Sequence, residues 1–124
     1  MNFSPILIVP GEKKSIFFEI FFKSIKSKKI TSPLILVCSK KILDKEIKKN
    51  NFNIKIELIN LAQITKKKFN KKKLYIIDIN NHNSKTYIQE CFSLAFKIIK
   101  QGLSHKLING PINKSKTLKK NILV

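Results

Sequence analysis

The residues best suited to chemistry lie near the end of the chain, in residues 107–118, which read LINGPINKSKTL. Two apolar residues precede a break at Gly110 and Pro111, and Asn113 and Lys114 follow. A lysine ammonium attracts phosphate, and an amide side chain both donates and accepts hydrogen bonds. The pattern predicts a buried strand that ends in a ligand-facing loop. A plain turn with one surface lysine explains the same residues about equally well.

A second candidate loop follows the first apolar run of the chain and contains Pro10, Gly11 and Glu12. A glycine in this position lets the backbone approach a ligand, and Glu12 would project from the end of the strand. By spacing alone, an ordinary turn with an exposed glutamate is the stronger interpretation. The loop is not a Walker phosphate loop or a dinucleotide fingerprint, because no Gly-Lys-Ser/Thr follows and the chain has only three glycines.

The other groups that commonly perform catalysis are scattered along the sequence. His82 and His105 have no obvious carboxylate neighbour, and a catalytic metal site needs about three protein ligands, so both are expected at the surface. Asp78 follows a strand, where a turn or helix-capping role is the commoner one. Cys38 and Cys91 lie far apart in apolar surroundings, which predicts two buried, reduced thiols and no zinc or redox motif.

The composition is that of one globular domain with an unusual charge. The chain has 124 residues and a net charge of +19, and all 26 basic residues are lysine. Lys, Asn, Ile and Phe are encoded by AT-rich codons, so genome bias explains the charge without a nucleic-acid partner. Arginine, the residue that reads guanine and phosphate bidentately, is absent. No secretory leader or membrane-spanning run is visible, so we expect a cytoplasmic protein.

The pattern of apolar residues predicts the elements that must position these loops. Short apolar runs alternate with stretches of helical spacing in the order β-α-β-α-β-loop-β-α-β. This order predicts a single α/β domain, 1–124, with a mainly parallel sheet of about five strands and helices on both faces. Ser15, Ser39 and Ser84 are the predicted helix caps. Ile16 and Ile20 are assigned to the buried face of the first helix.

The two loops together resemble the 4-hydroxythreonine-4-phosphate dehydrogenase family of vitamin B6 biosynthesis. In that family the first strand runs into PGEP-x-G/S-I-G-P-E, and a later strand runs into T-G-P-I-x-K. The residues that match are Pro10, Gly11, Glu12, Ser15, Ile16 and Glu19, then Gly110, Pro111, Ile112, Asn113 and Lys114. The residues that depart from the pattern are Lys13, Phe17, Phe18 and Asn109. The resemblance extends from residue 5 to residue 124.

The resemblance implies the first domain of an isocitrate/isopropylmalate dehydrogenase-like fold and an oxidoreductase that works as a dimer. Such an enzyme oxidises 4-phosphooxy-threonine with NAD or NADP, and a divalent metal assists the decarboxylation that follows. The substrate or cofactor contacts implied in this chain are Gly11, Glu12, Gly110, Pro111, Asn113 and Lys114.

The family's later Gly-His-Thr-Glu motif and its metal-binding histidines have no counterpart in this sequence. We therefore expect an incomplete amino-terminal domain that is inactive alone and binds no cofactor tightly. Its expected partners are a phosphorylated substrate and either a complementary carboxyl-terminal chain or a second copy, with no membrane and no specific nucleic acid. Two alternatives stay open: a stand-alone basic module that binds nucleic acid, and a small protein that binds a phosphorylated metabolite.

Overall fold

The computed structural model describes residues 5–11, 16–27, 30–66, 68–70 and 72–110. These residues form strands and α-helices in the predicted alternating order. The elements are β1 (Ile6–Val9), α1 (Phe17–Lys26), β2 (Leu34–Cys38), α2 (Lys40–Lys49), β3 (Lys55–Leu58), β4 (Lys73–Asp78), α3 (Ser84–Lys100) and β5 (Lys106–Asn109). A short 3-10 helix, Leu61–Gln63, lies in the connection that was predicted to be irregular.

The strands form one sheet in the order β3-β4-β2-β1-β5, and every neighbouring pair is parallel. The predicted mainly parallel sheet is therefore confirmed. The strand at Leu107 and Ile108 was predicted to be buried, but β5 is an edge strand and Ile108 is 50% exposed. The other edge strand is β3, in which Ile56 alternates with charged residues. All strands begin at one end of the sheet and finish at the other. We call these the amino end and the carboxyl end of the sheet.

Helices cover both faces of the sheet, as predicted. On one face α3 packs against alternate strand residues, and on the other α1 and α2 pack against the residues between them. The α3 side includes Leu7, Val9, Ile35, Val37, Tyr75, Ile77, Phe92 and Ala95. The opposite side includes Ile8, Leu34, Leu36, Leu74, Ile76, Phe18, Phe22 and Leu43. The strands are apolar runs because both of their faces are buried.

The first helix differs from its prediction in both its start and its orientation. It begins at Phe17, with Ile16 at the N-cap position and no side-chain cap, and the predicted cap Ser15 lies outside the described residues. Ile16 is 65% exposed and Ile20 is 54% exposed, so neither lies on the buried face. The phenylalanines bury that face instead, since an almost continuous apolar run allows more than one orientation on the core.

The other two predicted caps have different outcomes. The Ser39 side chain accepts a hydrogen bond from the backbone N–H of Ile42, as expected for an N-cap. At α3 the cap is Asn83, whose Oδ1 accepts from the N–H of Lys85, and Ser84 is the first helical residue. Asn and Ser cap helices about equally well, so the sequence did not separate them. No helix among the described residues has the length and apolar character to traverse a bilayer.

Candidate functional site

The carboxyl ends of β1 and β5 lie side by side at the candidate site. The two strands are parallel neighbours, and Val9 is the register partner of Asn109. The backbone N–H of Gly110 donates to the Val9 carbonyl at 2.8 Å, which extends the pairing by one residue. The loop after β1 and the loop after β5 therefore leave the sheet together, although residues 9 and 109 are far apart in sequence.

Gly110 has no side chain because there is no room for one. A Cβ atom at this position would overlap the carbonyl oxygen of Pro10 and would lie 2.7 Å from Cδ1 of Phe17. One atom belongs to the residue that follows β1 and the other to the first residue of α1, so Gly110 packs closely against both. Any larger residue at position 110 would push these loops apart.

At Gly11 it is the backbone conformation that favours glycine. Its φ is +94°, a backbone conformation that residues with a Cβ rarely adopt. The residue is also buried, as is Pro10 before it. The first loop thus turns sharply as it leaves β1, and its backbone lies close to the sheet at the point where it meets Gly110.

The structure brings together two of the six predicted site residues, Gly11 and Gly110. The other four, Glu12, Pro111, Asn113 and Lys114, lie outside the described residues. Asn109, which stands where the family usually has threonine, is exposed, and its Nδ2 donates to the Gly110 carbonyl at 3.2 Å. Its side chain therefore helps to close the turn that begins the second loop.

A second crevice lies between β2 and β4, where the chain connections diverge. The connection from β2 passes through α2 on one face, and the connection from β4 passes through α3 on the other. In open parallel sheets such a divergence is the usual place for a ligand. In this crevice, two backbone N–H groups that could bind a ligand already donate to side chains of the protein. The N–H of Lys40 donates to Oδ1 of Asp78 at 2.8 Å. The N–H of Ser39 donates to the Tyr87 hydroxyl at 2.7 Å.

Tyr87 is a residue whose role the sequence did not indicate. Its apolar helical spacing predicted only a core position, and the ring is indeed 3% exposed. Its hydroxyl nevertheless lies at the β2–β4 crevice, where it accepts the hydrogen bond from the N–H of Ser39. Burial, and then the nearby thiols of Cys91 and Cys38, raise the pKa of Tyr87 well above its ordinary value. Burial likewise raises the pKa of the Cys38 thiol. Both groups therefore stay protonated and neutral at physiological pH.

The remaining titratable candidates occupy separate places. Cys38 and Cys91 are buried free thiols, as predicted. His82 and His105 are both exposed, also as predicted. His82 follows β4 at the carboxyl end of the sheet, whereas His105 precedes β5 at the amino end. In the part of the chain that the structure describes, no three His, Cys, Asp or Glu side chains are grouped to hold a metal ion. These residues do not fit the divalent metal that the resemblance implies.

Fold and candidate site together define a class: an open, all-parallel α/β domain in which the residues that follow β1 and β5 lie side by side at the carboxyl end of the sheet. No protein-family model matches the chain, and a search of curated protein sequences finds no match. Solved structures do match it. The fold is similar to a 4-hydroxythreonine-4-phosphate dehydrogenase from Burkholderia phymatum, with a TM-score of 0.74 and 16% identity. The match covers 94% of this chain and 38% of that one.

A 4-hydroxythreonine-4-phosphate dehydrogenase from Klebsiella pneumoniae is similar to the same degree. The TM-score is 0.76 at 16% identity, over 92% of this chain and 39% of that one. At this identity the comparison establishes the fold. The chain spans well under half of the length of these structures. The fold that the two loop motifs implied from sequence is the fold that the comparison finds.

Proposed function

We propose that the chain is the amino-terminal portion of a 4-hydroxythreonine-4-phosphate dehydrogenase, and that the carboxyl ends of β1 and β5 form part of its substrate site. The single observation that supports this most is the pairing of β1 with β5, which places Gly110 directly against the carbonyl of Pro10. The two motifs that suggested the family lie about 100 residues apart in sequence. Their strands are neighbours, as one shared site requires.

Each predicted site residue has a proposed role toward a phosphorylated hydroxy-amino acid. Gly11 and Gly110 let backbone approach the substrate, since neither presents a side chain. Lys114 supplies a positive charge for the phosphate, and Asn113 supplies amide hydrogen bonds. Glu12 accepts hydrogen bonds from the hydroxyl or amino group of the substrate. Pro111 stiffens the start of the second loop because its φ is fixed.

The same proposal limits what this chain does by itself. NAD or NADP accepts the hydride and a divalent metal assists decarboxylation in the complete enzyme that the resemblance implies. This sequence has no GxGxxG fingerprint, and its described residues hold no metal-binding group. The chain would therefore bind the phosphorylated substrate and hold it against the sheet. Turnover would need a complementary polypeptide or the rest of a dimer.

Substrate binding can be measured by the rise in melting temperature on adding 4-hydroxythreonine 4-phosphate, with threonine as the control that lacks the phosphate. We expect a rise with the phosphorylated compound only. Lys114→Ala should abolish it, whereas Lys85→Ala, at an exposed lysine on α3, should leave it unchanged. No rise in the unmodified protein, or an equal rise in both variants, would contradict the proposed site.

The proposal that the chain is inactive by itself is tested by measuring the absorbance of reduced nicotinamide. We expect no increase when the chain is mixed with substrate, NAD or NADP and a divalent metal. An increase should appear when a polypeptide that supplies the remaining part of the dehydrogenase fold is added. Turnover by the chain alone would show that it carries a complete active site.

A further inference from the structure

Lysines are concentrated at the amino end of the sheet, opposite the candidate substrate site. Eight lysines of the described chain lie in the last two residues of a helix, or at or immediately before the first residue of a strand. We call them the amino-end lysines: Lys26, Lys48, Lys49, Lys55, Lys72, Lys73, Lys100 and Lys106. All are exposed except Lys73, which is half-buried.

Few carboxylates offset this charge. Among the described residues, Lys73 is the one amino-end lysine within 4.0 Å of a carboxylate, at 3.4 Å from Glu57. Of the eight other described lysines, Lys23 pairs with Glu19 and Lys40 pairs with Asp44 at 2.8 Å. Seven of the eight amino-end lysines therefore carry a charge that no carboxylate of the described residues offsets within 4.0 Å.

The stability of the fold explains some of the amino-end lysines and not others. Lysines at helix ends favour the helix dipole, which accounts for Lys26, Lys48, Lys49 and Lys100. Those at strand starts have no such reason. Lys55 and Lys73 are register partners on neighbouring parallel strands, so two like charges lie side by side. Like charges directly opposite destabilise a sheet, and the Glu57 carboxylate, 3.4 Å from Lys73, offsets this repulsion only in part because Lys55 has no carboxylate within 4.0 Å among the described residues.

The size of this surface suits a long polyanion. The lysines at strand starts extend from β3 to β5, the two outer strands of the sheet. Four strand spacings of about 4.8 Å make this width roughly 19 Å. Duplex nucleic acid carries one negative charge per ~1.7 Å of its axis, so a duplex crossing this width presents several phosphates to the lysines.

The surrounding residues identify which polyanion fits. The sequence has no arginine, the residue whose planar guanidinium reads guanine and phosphate bidentately, so the amino-end lysines act as point charges. No aromatic side chain of the described residues is exposed, which removes the stacking that single strands require. The large exposed apolar residues of the described chain, Ile16, Ile20, Leu58 and Ile108, do not lie at the carboxyl end of a helix or at the start of a strand, so the described part of this end offers no large apolar side chain to insert into a lipid bilayer.

We propose that the amino end of the sheet binds the phosphate backbone of double-stranded nucleic acid without sequence preference. The interaction uses lysines as point charges and leaves the carboxyl end of the sheet free. It is therefore a second activity, separate from the proposed substrate site, and it does not depend on that site.

The test compares two variants of the full chain with the same change in charge. One carries Lys55→Gln, Lys100→Gln and Lys106→Gln at the amino end, and the other carries three substitutions of exposed lysines elsewhere. The control substitutions are Lys41→Gln, Lys66→Gln and Lys85→Gln. Binding to a fluorescent duplex of about 20 base pairs is measured by anisotropy between about 50 and about 200 mM salt, with DNA and RNA duplexes of one sequence.

We expect log K against log salt to lose about 2.7 in slope in the amino-end variant, because each lysine that contacts phosphate contributes about 0.9. The control variant should lose less than about 1. DNA and RNA duplexes should bind with similar affinity, since both present phosphates. Thermal melting of both variants checks that they remain folded.

Three outcomes would overturn the proposal. Equal losses in the two variants would mean that net charge, and not this surface, attracts the duplex. Binding that the amino-end substitutions leave unchanged would place the contact elsewhere. Vesicles rich in phosphatidylserine that compete fully with the duplex at equal charge concentration would identify a membrane surface as the partner.

Discussion

The β1–β5 crevice and the β2–β4 crevice both lie at the carboxyl end of the sheet, yet they differ in what fills them. Between β2 and β4, the side chains of Asp78 and Tyr87 accept hydrogen bonds from the first backbone N–H groups of the α2 region. Between β1 and β5, Gly110 lies directly against the Pro10 carbonyl and the Phe17 ring, and Gly11 follows Pro10 with a positive φ. The first crevice is closed by hydrogen bonds to side chains, whereas the second begins where two backbone segments approach closely.

This difference shows that topology alone does not locate a ligand site. The divergence of connections makes the β2–β4 crevice the expected position. A site also needs donors that remain available, and the N–H groups of Ser39 and Lys40 are already bonded. Gly110, in contrast, lies at the first residue after β5, directly against the Pro10 carbonyl and the Phe17 ring.

The largest expected effect is that of Gly110→Ala. The added methyl group would overlap the Pro10 carbonyl, so we expect the free energy of unfolding to fall by about 3 kcal/mol, as for a severe overpacking. Gly102→Ala is the matched control, since nothing lies within 4 Å of its Cβ position and only its positive φ of 75° opposes alanine. It should cost about 1 kcal/mol. Urea denaturation measures both, and equal costs would show that the two loops can separate freely.

Tyr87→Phe should destabilise the protein by about 2 kcal/mol. The substitution keeps the buried ring and removes the acceptor for the N–H of Ser39, which is left without its partner in a half-buried position. Tyr75→Phe is the control, because the Tyr75 hydroxyl accepts from Asn70, which is exposed and can bond water instead. Urea denaturation should give a smaller loss for Tyr75→Phe, and the reverse order would show that the β2–β4 crevice is open to solvent.

The raised pKa of Tyr87 predicts a loss of stability at alkaline pH. In the unfolded chain a tyrosine releases its proton near pH ~10, whereas the folded protein retains it. The unfolded state then binds fewer protons, so the free energy of unfolding falls by up to about 1.4 kcal/mol per pH unit above that value. Tyr87→Phe should have a shallower alkaline slope than the unmodified protein in urea denaturation. Identical slopes would mean that the hydroxyl ionises as easily in the fold as in the unfolded chain.

Asp78→Ala should have the smallest effect, about 1 kcal/mol, which is typical for loss of a capping acceptor. The N–H of Lys40 would turn to water, since this bond is exposed. The substitution also tests the comparison of the two crevices, because it releases a donor at the β2–β4 crevice. Phosphate should then protect Lys40 from hydrogen exchange more in the variant than in the unmodified protein. Equal protection in both would mean that Asp78 does not exclude anions from this crevice.

The sequence predicted the sheet well and the surfaces less well. The apolar runs at β1, β2 and β4 were recognised because strands buried on both faces leave little freedom of sequence. The orientation of α1 was wrong, since Phe17, Phe18, Phe21 and Phe22 allow several buried faces. The cap of α3 was displaced by one residue because Asn83 and Ser84 are equally suitable.

The two candidate loops were identified from their residue types, and only the family resemblance predicted that they form one site. Spacing alone could not show that the loops after β1 and β5 meet, because that depends on the order of strands in the sheet. The role of the Tyr87 hydroxyl could not be predicted from the sequence, for a different reason. The sequence pattern around a core tyrosine is the same whether or not its hydroxyl accepts a hydrogen bond. Here the hydroxyl accepts one from Ser39, which is 48 residues away.

The most direct test of the account is to observe backbone amide signals by NMR while 4-hydroxythreonine 4-phosphate is added to the isotope-labelled full chain. We predict that the signals of Gly11, Asn109 and Gly110 move with ligand concentration, and that those of Ser39 and Lys40 do not. If the signals of Ser39 and Lys40 move and those of the two glycines do not, the ligand binds at the β2–β4 crevice, which would contradict the proposed site between β1 and β5.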